Sequence, residues 1–383
     1  MSNIKLKIIY IVNVDWFFIS HRLPIALQAI ELGHEVHLVC KDTGRVSGLT
    51  SLGIVVHPIA FNRSGKSILQ EIRVLRELHR LFKSLQPDII HAVTIKPVLY
   101  SGLVLHLLKD IPAVFAVSGL GYTFSASGFK ARLFRVVATI LYRVAFAHRR
   151  KKVIFQNDHD ERTIRGITSI KESEIVRIKG SGVDLSRYKN HVEPHNEKLV
   201  VTFASRLLKE KGVLDFVVAA RTVKKNCPSV VFQIAGPIDL ENPNAVSEDT
   251  VLNWHEEGVV KYIGNCDNIP EVFSQSHVVV LPSYYGEGVP KVLIEAAACG
   301  RAIVTTDQPG CRDAVIDGET GILVPARAPS ELASAIERLL IDSELRRTMG
   351  ANARAFAERE FDVRQVVEKH IEVYRELLSS RQS

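Results

Sequence analysis

The chain has 383 residues, of which 46% are hydrophobic and 24% are charged. This length and composition are ordinary for a globular protein and favour two domains over a single core. The five cysteines contain no close pair, so they predict neither a zinc site nor a disulfide framework and favour a reducing compartment. Residues 1–14 lack the pattern of a signal peptide, and no run of 18 apolar residues predicts a membrane-spanning helix.

Charge is distributed unevenly along the chain. Residues 1–180 contain 26 lysines and arginines against 13 aspartates and glutamates, a net charge of +13. Residues 181–383 contain 23 against 29, a net charge of −6. The basic half predicts an anionic partner, such as lipid headgroups, phosphates or nucleic acid.

The N-terminal half alternates apolar strands with helices. Residues 5–14 predict a first buried strand and residues 15–19 a loop, with Ser20 as the N-cap of a helix over 22–32. Further strands are predicted at 34–40, 53–59, 87–93 and 111–117, and helices at 67–86 and 98–108. This alternation is typical of a doubly wound parallel sheet, whose ligands bind at the carboxyl ends of the strands.

Candidate ligand-binding residues fall at those strand ends, and each has an alternative role in packing. Three adjacent residues follow the first strand and include two rings, which otherwise pack against a neighbouring domain. The histidine of the fourth strand is either a ligand contact or a core histidine, and the lysine after it is a cation suited to phosphate. The residues are Asp15, Trp16, Phe17, His91, Lys96 and, after the fifth strand, Ser118.

Residues 129–152 combine eight positive charges and no acid with apolar residues at helical spacing. One interpretation is a helix that packs on the core and leaves a solvated basic face. We favour the other, a basic amphipathic surface that lies on an anionic bilayer, because it agrees with the charge asymmetry. Nucleic acid would need the same charge, but no motif for RNA or DNA binding accompanies it.

Residues 153–164 predict a strand that leads into a helix. Asp158, His159 and Asp160 have the Asp-x-Asp form of some metal–nucleotide sites. Because Asn157 stands directly before the helix, we interpret the two aspartates as favourable charges at a helix N-terminus rather than as metal ligands.

The second half repeats the alternation after a polar, proline-containing linker at 189–196. Strands are predicted at 198–204, 230–236, 259–264 and 277–281, in the AIVTTD segment that begins at 302, and in GILVP, which begins at 321. Helices are predicted at 213–226, 247–257, 268–274, 329–342 and about 362–380. The pattern indicates a second Rossmann-like domain.

The segment LPSYYGEGVPKVLIEAAACG, residues 281–300, carries the clearest functional signal. Pro290 suits the first position of a helix that ends at Gly300, and the free N–H groups at the helix start favour an anion. Glu287 and Glu295 are eight residues apart, and Lys291 lies one turn from Glu295. Such a segment provides amides for a diphosphate and carboxylates for hydroxyl groups, although two surface glutamates are the simpler interpretation.

A pair of cations follows the strand at 198–204. Arg206 and Lys211 stand five residues apart before a helix, where a guanidinium and an ammonium can clamp a diphosphate. Two surface cations are the alternative. Lys209 is a rival for the second position, but Lys211 directly precedes Gly212.

EGVPKVLIE, the Arg206/Lys211 pair and GSGVD at 180–184 occur in one order, and together they resemble retaining GT-B glycosyltransferases of family 4, also called group 1. The resemblance implies two Rossmann-like domains with an interdomain cleft. The first would be an acceptor domain at 1–186 with the C-terminal helix, about 362–383, crossing back to it, and the second a nucleotide-sugar domain at 197–361. It also implies a metal-independent reaction with no cofactor.

The same resemblance implies roles for residues of the second domain. Arg206 and Lys211 would neutralise the diphosphate, Glu287 would contact the transferred sugar, and Glu295 would hold the ribose hydroxyls. The donor site would also include backbone of Gly182, Gly288, Val289 and Lys291.

TIKPVLYSG and SGLGYTFS resemble a bacterial subgroup acting on undecaprenyl-diphosphate-linked sugars in O-antigen and surface glycan assembly, including N-acetylgalactosaminyltransferases. The implied reaction takes a HexNAc such as GalNAc from a UDP-sugar, at the cytoplasmic face of the inner membrane. Many family members have His-x-His after the fourth strand and His-Gly after the fifth, whereas this chain has His91-Ala92-Val93 and Ser118-Gly119. A 6-deoxyhexosamine donor, a GT-B sugar-nucleotide 2-epimerase and a non-catalytic binding protein are the alternatives.

Overall fold

The structure is a computed structural model that describes residues 5–59, 61, 68–108, 110–120, 129–195, 198–239 and 242–379. Within these ranges, only the backbone of residues 129–131, 133 and 134 is described. The chain divides into two compact units, one of residues 1–181 and 364–383 and the other of residues 182–363. Residues 182–195, which sequence patterns divide between the first domain and a linker, therefore belong to the second unit.

The first unit is built on a parallel sheet with strand order β3-β2-β1-β4-β5-β6-β7. The inner strands β1 and β4 are apolar and almost wholly buried, which is expected where helices cover both faces of a sheet. The strands are β1 Lys7–Val14, β2 Glu35–Lys41, β3 Val55–Pro58, β4 Ile89–Val93, β5 Ala113–Val117, β6 Lys151–Phe155 and β7 Ile175–Arg177.

Helices of the first unit connect these strands, and the last helix of the chain also packs in this unit. The connecting helices are α1 Asp15–His21, α2 Leu23–Glu31, α3 Val46–Ser51, α4 Ile68–Leu85, α5 Ile95–Leu105, α6 Phe129–Phe146 and α7 Asp158–Arg165. The Asn157 side chain accepts a hydrogen bond from the Asp160 backbone N–H at 2.8 Å, so the N-cap predicted for α7 is confirmed.

The second unit repeats the design with strand order β10-β9-β8-β11-β12-β13, again parallel throughout. Its strands are β8 Val200–Ala204, β9 Val231–Ala235, β10 Lys261–Tyr262, β11 Val278–Leu281, β12 Ala302–Thr306 and β13 Gly321–Val324. Its helices are α8 Val213–Asn226, α9 Glu248–Glu256, α10 Ile269–Ser274, α11 Lys291–Ala298, α12 Cys311–Ala314, α13 Pro329–Ile341 and α14 Ser343–Glu360, and α15 Val363–Ser379 follows them. Each unit has its own apolar core between sheet and helices.

Several predicted elements differ from the structure, and α3 and β7 were not predicted. Residues 15–19 form helix α1 rather than a loop, because Phe18 buries its ring against Tyr10, so Ser20 lies inside a helix and is no N-cap. Pro290 is the N-cap of α11 rather than its first residue, with ψ of 122°. The prediction omitted α14, whose start is marked by Asp342, a side chain that accepts from the Leu345 backbone N–H.

The described residues include no helix that is both long and apolar enough to cross a bilayer.

Candidate active site

The loop between β11 and α11 is held in place by the strand beside it. Thr305 of β12 donates its hydroxyl to the Leu281 carbonyl at 2.6 Å, and Thr306 donates to the Ser283 carbonyl. Both threonine hydroxyls are buried, so each needs such an acceptor. The loop therefore leaves the carboxyl end of β11 in a defined direction, at the strand edge where ligands of such sheets bind.

Two glycines allow other segments to approach this loop closely. A Cβ at Gly212, which has φ of +78°, would lie 2.0 Å from the Pro282 carbonyl oxygen. A Cβ at Gly310, with φ of +85°, would lie 1.9 Å from the Gly288 carbonyl oxygen. Both positions thus require glycine for conformation and for space.

Lys211 and Glu287 form an ion pair at the centre of this loop. Their side chains are 16% and 12% exposed, so both are reachable from solvent but mostly desolvated. The Ser283 hydroxyl donates to the second carboxylate oxygen of Glu287 at 2.6 Å. The sequence pattern singled out Lys211 and Glu287 but missed Ser283, whose place four residues before Glu287 was the available signal.

Glu295 lies one turn into α11, where it is buried and has a hydrogen-bond partner and an ion-pair partner. The Tyr188 hydroxyl donates to its Oε1 at 2.7 Å, and the Lys291 ammonium lies 3.7 Å from the same oxygen. Burial raises the pKa of Glu295, and the Lys291 charge and the Tyr188 hydrogen bond reduce that rise. The predicted Lys291–Glu295 contact is confirmed, whereas Tyr188 was missed because it is 107 residues away in sequence.

Arg206 lies after β8, and its guanidinium is 2.9 Å from the carboxylate of Asp239. The side chain remains 33% exposed. Asp239 was also missed by sequence analysis. Gly182 has φ of +77°, and a Cβ there would lie 2.8 Å from the Val363 Cα, so backbone packing alone accounts for this glycine.

Chemically, the second unit offers two cations, the first amides of α11 and two carboxylates of different character. The ammonium and guanidinium suit phosphate oxygens, and a helix N-terminus favours negative charge. The two side chains are equally exposed, at 12%, but Glu287 pairs with Lys211 and Ser283, whereas Glu295 accepts from Tyr188 and lies 3.7 Å from Lys291. The unit can therefore bind an anion and a polyhydroxy group together.

In the first unit, two predicted ligand contacts are instead structural. Asp15 is fully buried and accepts hydrogen bonds from the backbone of Trp16, Thr43 and Arg45 and from the Thr43 hydroxyl. Burial acts to raise the pKa of Asp15, but these hydrogen bonds outweigh it and lower the pKa. The carboxylate fixes the turn after β2, so a ligand-binding role for Asp15 is not supported.

His91 is also fully buried, and its Nε2 has no hydrogen-bond partner among the described residues. Its Nδ1 lies 2.6 Å from the Tyr374 hydroxyl, and its ring stacks on His370, both residues of α15. Burial holds the pKa of His91 well below its usual value, with further lowering by nearby His370 and Arg22. The core-histidine alternative therefore describes this residue.

Lys96 lies in the first turn of α5 and pairs with Glu71 at 2.8 Å, while Trp16, Phe17 and Ser118 are half-buried.

Sequence analysis missed a group of buried oxygens that includes the Ser118 hydroxyl. The side-chain oxygens of Asn13, Thr94 and Ser118 are buried and have no hydrogen-bond partner among the described residues. They follow or end the neighbouring strands β1, β4 and β5, and Thr94 has φ of +74°, which is unusual for a residue with a Cβ. Buried polar oxygens without a protein hydrogen-bond partner favour a bound ligand or water at that position.

Comparison with known proteins finds glycosyltransferase family models that match both halves of the chain. A family model described as glycosyl transferase 4-like matches residues 7–157, and one described as glycosyl transferases group 1 matches residues 186–356. The chain is 29% identical over 380 residues to the N,N'-diacetylbacillosaminyl-diphospho-undecaprenol alpha-1,3-N-acetylgalactosaminyltransferase of Campylobacter jejuni, with 93% of this chain and 97% of the relative covered.

Two solved structures share the fold at low sequence identity. Sucrose-phosphate synthase from Thermosynechococcus elongatus has a TM-score of 0.81 at 19% identity and covers 98% of this chain and 100% of its own. HepE of Anabaena, in complex with UDP and glucose, has a TM-score of 0.76 at 20% identity, with 97% and 100% covered.

Two parallel Rossmann-like sheets, each in its own compact unit, define the GT-B fold class. The two family models together span most of the chain, which is a glycosyltransferase with a glycosyl transferase 4-like N-terminal half and a group 1 C-terminal half. The expected family and fold class are confirmed.

Proposed function

We propose that this enzyme transfers a sugar from a nucleotide-sugar with retention of configuration and without a metal ion. Arg206 and Lys211 would neutralise the departing diphosphate, which is the electrostatic task that a metal performs in other enzymes. The leaving diphosphate itself would take the acceptor proton, so no protein base is assigned.

The observation that carries this proposal is the ion pair of Lys211 with Glu287, partly exposed on the loop before α11. A cation beside a carboxylate at a helix N-terminus matches a diphosphate next to a sugar hydroxyl. Glu287 would contact the transferred sugar and Glu295 the ribose hydroxyls. The backbone of Gly288, Val289 and Lys291 would complete the site, and Gly182 is a weaker candidate because Val363 already explains it.

For the donor, we propose a UDP-sugar that carries a HexNAc, such as UDP-GalNAc. The support is the similarity to the Campylobacter jejuni relative, whose name specifies N-acetylgalactosaminyl transfer. For the acceptor, we propose a polyprenyl-diphosphate-linked sugar, since that relative is named for a diphospho-undecaprenol substrate. The enzyme would then serve O-antigen or other surface glycan assembly.

The acceptor would bind at the carboxyl ends of β1, β4 and β5. The unpartnered oxygens of Asn13, Thr94 and Ser118 favour this position, and Trp16 and Phe17 offer rings beside β1. Lys96 remains a candidate if a phosphate displaces Glu71 from it. A lipid-linked acceptor also implies that the protein attaches peripherally to the cytoplasmic face of the inner membrane, through the basic surface of residues 129–152.

The test is a panel of radiolabelled UDP-, GDP-, dTDP- and ADP-sugars, each incubated with the purified protein with and without membrane lipid extract. We expect one UDP-HexNAc to place label in the lipid fraction. Turnover that requires no lipid and converts UDP-GlcNAc to another sugar nucleotide would instead identify an epimerase. Donor turnover with no label in lipid would exclude the lipid acceptor, and no binding of any nucleotide-sugar would exclude the transferase.

A further inference from the structure

A cavity of about 560 Å³ lies in the first unit, away from the candidate acceptor residues. It is bounded by the end of α6, the segment that leads into β6 and the residues directly before β7. These positions are the amino ends of parallel strands. The candidate acceptor residues follow the carboxyl ends of strands in the same sheet, so the cavity is a separate site.

The cavity is strongly basic. Arg143, Arg149, Lys151 and Lys171 line it, and the carboxylate that faces them is Glu174. Glu174 is already engaged, because it pairs with Lys151 at 2.8 Å and accepts from the Lys171 backbone N–H at 2.8 Å.

The remaining cations have no such partner. Within the described ranges, no carboxylate lies within ion-pairing distance of Arg143, Arg149 or Lys171. Burial lowers the pKa of His148, and the nearby His106, Lys151 and Arg150 lower it further, against the opposing effect of a hydrogen bond to the Ile111 carbonyl at 2.9 Å, so His148 adds little charge at neutral pH. A concave site with uncompensated positive charge favours an anion with several oxygens, such as a phosphate.

An exposed apolar stripe lies on the same helix as Arg143. Val136, Ile140 and Val144 recur every four residues of α6, which places them on one face, and they are 52%, 54% and 38% exposed. The opposite face already packs the unit through Tyr142 and Ala145, which are buried. The stripe is therefore not part of the apolar core of the unit. Exposed apolar rows beside basic residues are typical of protein surfaces that bind membranes.

We propose that the cavity binds the phosphate of an anionic phospholipid headgroup while the apolar stripe of α6 enters the interfacial region of the bilayer. Arg143 lies between Ile140 and Val144 in sequence and also lines the cavity, so one lipid can reach both features. A free phosphate would engage the cavity and leave the stripe exposed to water. This inference rests on the proposed membrane location and gives it a specific headgroup contact.

The test uses the full-length protein and two kinds of vesicle. One contains phosphatidylcholine with phosphatidylglycerol, and the other contains phosphatidylcholine with enough oleate to match the surface charge. We expect the protein to bind the first roughly fivefold or more tightly, about the effect of one well-placed cation. R149Q/K171Q should bind both vesicles equally, whereas R76Q/R80Q, which removes the same charge from exposed positions on α4, should keep the preference.

A second comparison separates lipid from free phosphate. I140S/V144S should weaken binding to the phosphatidylglycerol vesicles and leave the calorimetric affinity for glycerol 3-phosphate unchanged. If it leaves vesicle binding unchanged, the ligand is a soluble phosphate and the lipid proposal is overturned. Equal affinity of the unaltered protein for both vesicles, or preferential binding to single-stranded RNA, would overturn it as well.

The same variants are assayed for sugar transfer to detergent-solubilised lipid extract. A protein that transfers sugar but fails the vesicle test leaves the proposed function intact and removes the headgroup site. A protein that passes the vesicle test but transfers no sugar keeps the headgroup site and contradicts the proposed function.

Discussion

At the scale of single residues, the second unit contains two carboxylates that the fold treats differently. Glu287 forms an ion pair with Lys211 and accepts from the Ser283 hydroxyl. Glu295 is buried, and burial raises its pKa while the Tyr188 hydroxyl and the Lys291 ammonium oppose that rise. The first suits contact with a reacting sugar, and the second suits holding neutral hydroxyl groups.

Lys211→Ala tests the electrostatic role. Loss of a preorganised charge beside a developing anion typically costs a factor of about 10² to 10³ in kcat, and we expect a loss of that size in transfer from the preferred donor. Lys209→Ala is the matched control, because Lys209 is exposed and stands two residues earlier. Equal losses in the two variants would show that both cations of this turn contribute alike and would contradict the specific assignment to Lys211.

Tyr188→Phe tests the role of Glu295. Without the donated hydrogen bond, the pKa of this buried carboxyl should rise further, so less of the charged form is present near neutral pH. We expect the KM for the donor to increase roughly tenfold while kcat changes little, since a net hydrogen bond to a charged group is worth about that factor. The pH above which the KM for the donor decreases should also shift to a higher value. A fall in kcat at unchanged KM would indicate that Tyr188 acts on the reaction rather than on donor binding.

At the scale of elements, the loop before α11 is positioned by neighbours that are distant in sequence. Thr305 and Thr306 of β12 bond to its first residues, and the backbone at Gly212 passes close to Pro282. These contacts join the turn that carries Lys211 to the loop that carries Glu287. The ion pair between them therefore depends on close backbone packing.

Gly212→Ala tests this dependence. The new Cβ would lie 2.0 Å from the Pro282 carbonyl oxygen, so the loop must move, and overpacking of this kind costs about 1–3 kcal/mol. Gly318→Ala is the control, because Gly318 has a similar φ of +75° but no atom within 4 Å of the new Cβ. We expect Gly212→Ala to be less stable than the control by that amount in urea unfolding followed by Trp254 fluorescence, with both variants made in a Trp16→Phe background. Equal stability of the two variants would mean that only the backbone conformation matters.

At the scale of the whole molecule, the end of the chain completes the first unit. Helix α15 adds His370 and Tyr374 to a buried polar group that includes His91, Tyr10 and Arg22. Burial lowers the pKa of His370 to about 3, with a further contribution from Arg22. Both histidines are therefore neutral in the folded protein near pH 7, close to an arginine whose charge opposes their protonation.

This group predicts how the stability of the first unit depends on pH. The unfolded chain binds protons at these histidines as the pH falls below about 6.5, whereas the folded chain does not until about pH 3 for His370. The free energy of unfolding should therefore have its highest contribution from these histidines above about pH 6.5. Below that pH it should fall by up to about 1.4 kcal/mol per pH unit for each histidine. Urea unfolding between pH 7.5 and 4.5 measures this slope, and in a Trp254→Phe background the remaining tryptophan, Trp16, reports on the first unit.

His370→Gln should reduce that slope, and His159→Gln should not, because His159 is exposed. An identical slope in the His370→Gln variant and the unaltered protein would contradict the assigned cause.

Periodicity and end signals in the sequence were sufficient to predict most elements and the parallel α/β class. Helix α8 was placed at its observed bounds, residues 213–226, because a glycine precedes it and apolar residues recur at helical spacing. The same local chemistry placed Arg206, Lys211, Glu287 and Glu295, since the loop and helix that carry them are short and bounded by glycine and proline. The sequence by itself thus determined the glycosyltransferase class and the fold class, and it singled out the charged residues that we propose for the donor site.

Tertiary structure alone decided which of the polar candidates are structural. Asp15 and His91 stand at strand ends where ligand contacts are common, but packing of the turn after β2 and of helix α15 buries them, and these contacts span 28 and 283 residues. The partners Tyr188 and Asp239 and the basic cavity before β6 and β7 were likewise invisible to local patterns. Burial and pairing depend on which segments meet in space, and local propensity contains no information about such distant contacts.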